Sequence, residues 1–216
     1  MIIFNQVFKK VKDTQIENLS FNINHGDFVL IKANNDRILK LLRDLLTGKV
    51  APDKGMIRWF NSSYYSTSVK RENLGVVYKD NILLPRRTLL ENLRYIMTVK
   101  GVSPKFVKPR IKKLLQIVDI YDKSNLTPDE LLDHQLVRAN VAQALVNYPS
   151  MLLLEDPTRD LDEVNAKGIT HLMEDINRLS TTIIWLTSDN IIMDNRKKLI
   201  DINNGKINIP GKGSYA

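Results

Sequence analysis

The 216-residue sequence contains no cysteine, which excludes disulfides and thiolate metal sites and suits a reducing, cytoplasmic setting. Its three histidines are scattered, so a histidine metal centre is not expected either. Long apolar runs are missing: Met151 to Leu154 and Ile183 to Leu186 fall far short of the roughly 18 residues that a membrane-spanning helix needs. The opening MIIFNQVFKK has no basic stretch ahead of a long apolar one, so no signal peptide is expected and the chain reads as soluble by itself. Repeats and low-complexity segments are absent. Glycine is missing throughout the interval between Gly26 and Gly48, and that gap becomes important below.

What remains is ordinary in bulk. A composition of 43% hydrophobic and 26% charged residues suits one globular domain with a sizeable core. The net charge of +8 attracts nucleic acid, anionic lipid or an acidic partner without distinguishing them, because the term is long-range. Much of the surplus lies in Arg86, Arg87, Arg94, Lys100, Lys105, Lys108, Arg110, Lys112 and Lys113. These read as a solvated helix face or a contact surface. No aromatic-rich basic surface of the base-stacking kind accompanies them, which disfavours nucleic acid as a partner.

Along the chain, IIFNQVF and the stretch from Phe21 to Ile31 read as strands separated by the polar residues Lys9 to Asn18. Asn24 to Asp27 signal a turn before FVLI, whose unbroken apolar run suits a strand buried on both faces. Residues 35 to 47 carry Ile38, Leu41, Leu42, Leu45 and Leu46 at helical spacing. Strands are expected again at Met56 to Phe60 and at LGVVY. From Thr88 to Gln143 the periodicity is helical, a candidate helical subdomain of about 88–143 within the single domain 1–216. The last third gives MLLL as a strand, a helix over about Glu163 to Leu179, and TTIIWLT as a strand. A hairpin closes at Asn204-Gly205. Buried strands alternating with helices predict an α/β domain with a mostly parallel sheet.

LLLEDPTRDLD, residues 152–162, resembles the Walker B strand and D-loop of ABC-transporter ATPases. With that register fixed, RANVAQALVNYP (138–149) is similar to the helix after the family's signature motif. LGVVYKDNILLPRRTLLENL (74–93) resembles the Q-loop region of the FtsE-like cell-division branch. The resemblance spans essentially the whole chain and implies a P-loop NTPase-like α/β fold: a mostly parallel core sheet, an antiparallel β subdomain and a helical subdomain.

The residues that handle nucleotide in that family are replaced almost one by one. A phosphate loop needs glycines, so that successive backbone N–H groups face the ligand, and a lysine for the phosphate charge. Here the segment is KANNDRILKL. Length-matching puts Leu39 at the lysine position and Lys40 at the magnesium-binding hydroxyl, with Asn34, Asn35 and Asp36 in the loop. Val11 falls where an aromatic would stack on adenine, and Lys79 replaces the Q-loop glutamine. The signature Ser-Gly-Gly becomes Leu132-Asp133-His134, followed by Gln135. Ser188 takes the place of the switch histidine, with Asp189 retained after it, and the Walker B acids are inverted to Glu155-Asp156.

A helix N-terminus attracts an anion by about 1 kcal/mol. Losing the lysine and several amide contacts costs roughly 1.5–3 kcal/mol each, so ATP affinity is expected to fall by several orders of magnitude. The inverted carboxylates have altered reach, and about 1 Å of misplacement can cost a hundredfold in rate. The expectation is therefore a degenerate pseudo-ATPase with no cofactor, in which ATP and magnesium bind only if the site works after all. Glu155 is expected to pair with Lys40 or Lys79, and Leu39 and Leu132 to fill space vacated by ligand.

In this branch the ATPase dimerises and grips a membrane subunit, FtsX, whose cytoplasmic helix docks beside the helical subdomain. The resemblance thus implies docking at Ile82, Leu83, Leu84, Pro85 and Arg86. It also implies a D-loop contact at Asp162 and an output tied to cell division or cell-wall hydrolase regulation. A homodimer or a heterodimer with another ABC ATPase is expected, at the inner face of the cell membrane with its anionic surface. The alternatives are an active ABC ATP-binding subunit with an unusual site, one half of such a heterodimer, and a basic nucleic-acid-binding regulator.

Overall fold

The computed structural model describes residues 1–59, 73–188 and 197–208. Phe60 and Asp189 therefore lie outside the described residues. Three strands, β1 (Ile2–Val11), β2 (Thr14–Ile23) and β4 (Lys54–Trp59), form an antiparallel sheet in the order β2-β1-β4. The polar stretch Lys9 to Asn18, expected to separate strands, instead belongs largely to them, with only Lys12-Asp13 forming the turn. Within this stretch only Ile16 is buried, so its polar residues masked the strand signal. The stretch from Phe21 to Ile31 accordingly joins the end of β2 to the following strand.

The second sheet has six strands in the order β5-β6-β7-β3-β8-β9. These are β5 (Leu74–Val77), β6 (Met151–Glu155), β7 (Thr182–Thr187), β3 (Phe28–Ala33), β8 (Lys198–Asn203) and β9 (Lys206–Asn208). All neighbours pair in parallel except β8 with β9, which turn at Asn204-Gly205 as expected. Strands β6 and β7 are buried at every residue, consistent with a sheet covered on both faces.

Helix α1 (Asp36–Leu46) buries Leu39, Leu42 and Leu46 in a core shared with the antiparallel sheet and with Met151 and Leu153. The alternate residues Leu152 and Leu154 face the opposite core. There they meet α2 (Leu89–Val99), α3 (Pro104–Ile117), α4 (Asp133–Ala144) and α5 (Glu163–Arg178). Helix α2 starts at a reciprocal cap between Thr88 and Glu91.

The registers decide where the site lies. Lys32 pairs with Thr187, Glu155 with Leu186, and Val77 with Leu154. The loops after β3, β5, β6 and β7 therefore leave the sheet together at its carboxyl edge, where open α/β sheets bind ligands.

Gly75 fixes the approach of β5 to its cover. A Cβ there would meet the Ala144 carbonyl oxygen at 2.6 Å and Leu152 at 2.7 Å. Gly75→Ala should lower the unfolding free energy by about 1–3 kcal/mol through overpacking, read as a lower urea midpoint at unchanged slope.

Candidate functional site

Only Asn34 and Asn35 separate β3 from α1. The Asn35 side chain accepts the Arg37 N–H at 2.8 Å, and its carbonyl oxygen accepts the N–H groups of Ile38 and Leu39. The chain thus passes directly from strand to a side-chain-capped helix. The helix-opening amides at Arg37, Ile38 and Leu39 are already engaged within the protein.

The first residue of that helix is Asp36. Its carboxylate accepts hydrogen bonds from Arg159 at 2.8 Å and Lys79 at 3.2 Å. The Arg159 hydrogen bond, opposed by partial desolvation and reinforced by Lys79, holds the Asp36 carboxyl below the usual aspartate range. Arg159 also approaches Asp156 at 3.6 Å. One acid at the start of α1 and two bases from the segments after β5 and β6 meet at the strand edge, where Lys79, Asp156 and Arg159 line a cavity of about 130 Å³.

Beneath them lie the two acids that end β6. Glu155 is 7% exposed and Asp156 is 6% exposed. Arg43 donates to Glu155 at 2.7 Å and to Asp44 at 2.9 Å, and its guanidinium lies 5.5 Å from the Tyr78 ring centroid. Burial works against the Arg43 charge, but hydrogen bonds to Glu155 and Asp44 outweigh it and raise its pKa above the ordinary arginine value. Asp156 accepts the Ser188 N–H at 3.0 Å and the Ser188 hydroxyl at 3.4 Å. Its backbone N–H donates to the Leu186 carbonyl oxygen.

The expected internal ion pairs therefore exist with a different assignment. Glu155 is neutralised by Arg43, not by Lys40 or Lys79. Lys40 is exposed on α1, while Lys79, leaving β5, bonds to Asp36. Arg43 was not anticipated, although the signal was present: it follows Leu39 by four residues, on the helix face that also carries the buried Leu42 and Leu46. Arg159, set among the acids of EDPTRDLD, was missed too.

Leu39 is 1% exposed and packs in the core. Leu132 is 61% exposed and fills no vacated space, which corrects the expectation for it. It sits at the N-cap of α4, where its N–H donates to the Gln135 side chain at 3.1 Å. That position leaves the side chain outside the core, with Asp133 and His134 forming the first turn. Val11 lies at the end of β1, lining an open cavity of about 440 Å³ with Lys12, Arg37 and Lys40. Asp162 caps α5, both carboxylate oxygens accepting from Asn165 at 2.9 and 2.6 Å. The Asn165 backbone bond is the main reason its carboxyl is held low.

In the expected docking segment Leu83 is buried, while Ile82, Leu84, Pro85 and Arg86 are exposed. Buried Asn92 fixes this segment: it accepts the Leu84 N–H at 2.7 Å and donates to the carbonyl oxygens of Leu84, Arg87 and Thr88.

A family model described as ABC transporter matches residues 16–159. The chain belongs to the ABC transporter family. The cell division ATP-binding protein FtsE of Streptococcus pneumoniae is 30% identical to it, covering 100% of this chain and 97% of its own length. The lipoprotein-releasing system ATP-binding protein LolD 1 of Chlorobium chlorochromatii is 29% identical over 94% of this chain and 85% of its own. Among solved structures, cbiO1 of Clostridium perfringens superposes with a TM-score of 0.88 at 22% identity, over 96% of this chain and 86% of that one. A dimeric ATP-binding cassette, MJ0796 bound to ADP and Pi, gives 0.81 at 23%, over 96% of each. These two establish the fold of an ABC ATPase domain.

ABC ATPases bind ATP with magnesium, and the residues here do not fit that group. The helix-opening amides are used internally, and a carboxylate stands where phosphate oxygens would. Glu155 is already paired with the Arg43 guanidinium.

Removing one partner of the Arg43–Glu155 pair leaves a buried uncompensated charge. Arg43→Met should therefore destabilise the protein by about 3 kcal/mol, and Arg43→Met with Glu155→Leu should recover most of that, both read by urea denaturation. Asp36 is half exposed, so its pairs contribute under about 1 kcal/mol. Because its folded pKa is depressed, this increment is present above the unfolded value of about 3.9 and is lost as pH falls through the folded one. The Tm difference between the wild type and Asp36→Asn should accordingly be constant near neutrality and vanish in acid.

Proposed function

We propose that this FtsE-like ABC subunit is a pseudo-ATPase: a non-catalytic scaffold that docks on an FtsX-like membrane protein at the inner face of the cell membrane. The complex would be one linked to cell division or to the control of cell-wall hydrolases. The observation that carries this reading is the Asp36 carboxylate, bonded to Lys79 and Arg159 at the helix start that in an active relative receives triphosphate. Like charges repel there, and the two cations that could serve a phosphate are already satisfied.

Docking is supported by the exposed Ile82 and Leu84, presented on a loop that Asn92 holds from Leu84 to Thr88. A rigid apolar loop can bind a helix without first being ordered, which limits the entropic cost of association. Asp36 ties this loop to α1 through Lys79, so the conformation that nucleotide would impose in an active subunit is held by the chain's own charges. Glu155 and Asp156 are both retained, which favours, as a second reading, an active ATP-binding subunit completed by a competent heterodimer partner.

The deciding experiment is purification of the native complex from membranes, followed by calorimetric titration with ATP and magnesium. The expected outcome is a co-purifying FtsX-like membrane protein and no saturable heat at about 1 mM nucleotide. Micromolar affinity with turnover would establish the second reading. Recovery of the chain without any membrane protein would remove the scaffold.

A further inference from the structure

We infer that the corner between α2 and α3 is a contact surface for an anionic lipid bilayer, separate from the exposed Ile82 and Leu84. From Asn92 to Val118 the sequence contains no acidic residue, yet it carries Arg94, Lys100, Lys105, Lys108, Lys112 and Lys113. None of these six has an ion-pair partner among the described residues. Glu91, the acid nearest in sequence before this interval, is engaged in the α2 cap with Thr88.

Charge alone would describe any polyanion, but this corner is also apolar. Val99, the last residue of α2, is 67% exposed, and Phe106, in the first turn of α3, is 57% exposed. Only the tight Lys100–Ser103 connection separates the two helices, so both side chains stand at one end of the pair. Lys105 lies 4.9 Å from the Phe106 ring centroid, which puts an ammonium beside an exposed aromatic. Behind them runs a groove of about 290 Å³, floored by Val102 and Val107, with Arg94 and Lys108 among its lining residues.

Exposed apolar tips ringed by lysines suit the headgroup boundary, where the ring enters the acyl edge and the ammoniums meet lipid phosphates. Nucleic acid would reward the lysines but leave Val99 and the apolar groove in water. An acidic peptide would need a matching apolar residue for each tip, whereas a bilayer supplies apolar depth everywhere. The fluid bilayer is thus the occupant that satisfies both halves of the surface.

Vesicle flotation with the full chain, without nucleotide or any membrane protein, tests this. Phosphatidylcholine vesicles containing phosphatidylglycerol should bind the chain, and phosphatidylcholine alone should not. Lys105→Glu with Lys108→Glu should lower partitioning at least about twentyfold, at about fivefold per cation removed. Phe106→Ser should lower it by about tenfold, with both variants keeping the wild-type circular dichroism and Tm. Equal binding to both vesicle types, or partitioning unchanged in the folded variants, would overturn the proposal. So would tighter retention on duplex DNA or on polyglutamate than on the anionic vesicles at matched salt.

Discussion

Two carboxylates side by side at the end of a fully buried strand set the terms for everything around them. Glu155 and Asp156 stand almost wholly out of water at the carboxyl edge of β6, where an uncompensated charge costs several kcal/mol. An ABC ATPase meets that demand with metal and ligand. This chain meets it with Arg43 from α1 for Glu155, and with the Ser188 N–H and hydroxyl and nearby Arg159 for Asp156. The neutralising groups are covalently part of the fold, so their effective concentration does not depend on what the solution contains.

The upper layer follows from the lower one. Arg159 is held near Asp156 and reaches Asp36 as well, and Lys79 joins the same carboxylate. Each contact is partly exposed and individually weak. Their arrangement matters more than their strength, because they join the start of α1 to the segments that follow β5 and β6. Lys79 stands three residues before Ile82, in a segment whose other end Asn92 secures through four hydrogen bonds. The segment is thereby held from both sides without a bound ligand.

Much of this was legible in the sequence, because hydrophobic runs and turn residues carry strong local signals. FVLI, MLLL and TIIWLT are buried strands as their unbroken apolar runs require, and Asn204-Gly205 closes its hairpin. The Lys9 to Asn18 region misled because a sheet edge with one wet face looks like a loop when read by polarity. Asp36, Lys79, Glu155, Asp156 and Ser188 lie at one edge because the parallel topology gathers the strand ends. Motif register could not choose among the lysines and arginines for Glu155, because that choice depends on the direction of α1 across the sheet. Lys40 lies on the exposed flank of α1, while Arg43, four residues after the buried Leu39, lies closer to the face that meets the sheet. Leu132 misled for a related reason: a residue that would face a ligand from the surface was read as one that would fill a core.

The survival of both acids is sometimes a reason to suspect surviving catalysis, but here each has structural work that accounts for it. Asp156 anchors the end of β7 through Ser188, and buried Glu155 pairs with the half-buried Arg43, which also meets Asp44. A buried ion pair contributes little net stability compared with two apolar residues of the same shape, yet removing either member alone is strongly destabilising. The pair is therefore easier to keep than to leave by single steps, whatever its members once did. The partner of Glu155 in this chain is the Arg43 guanidinium.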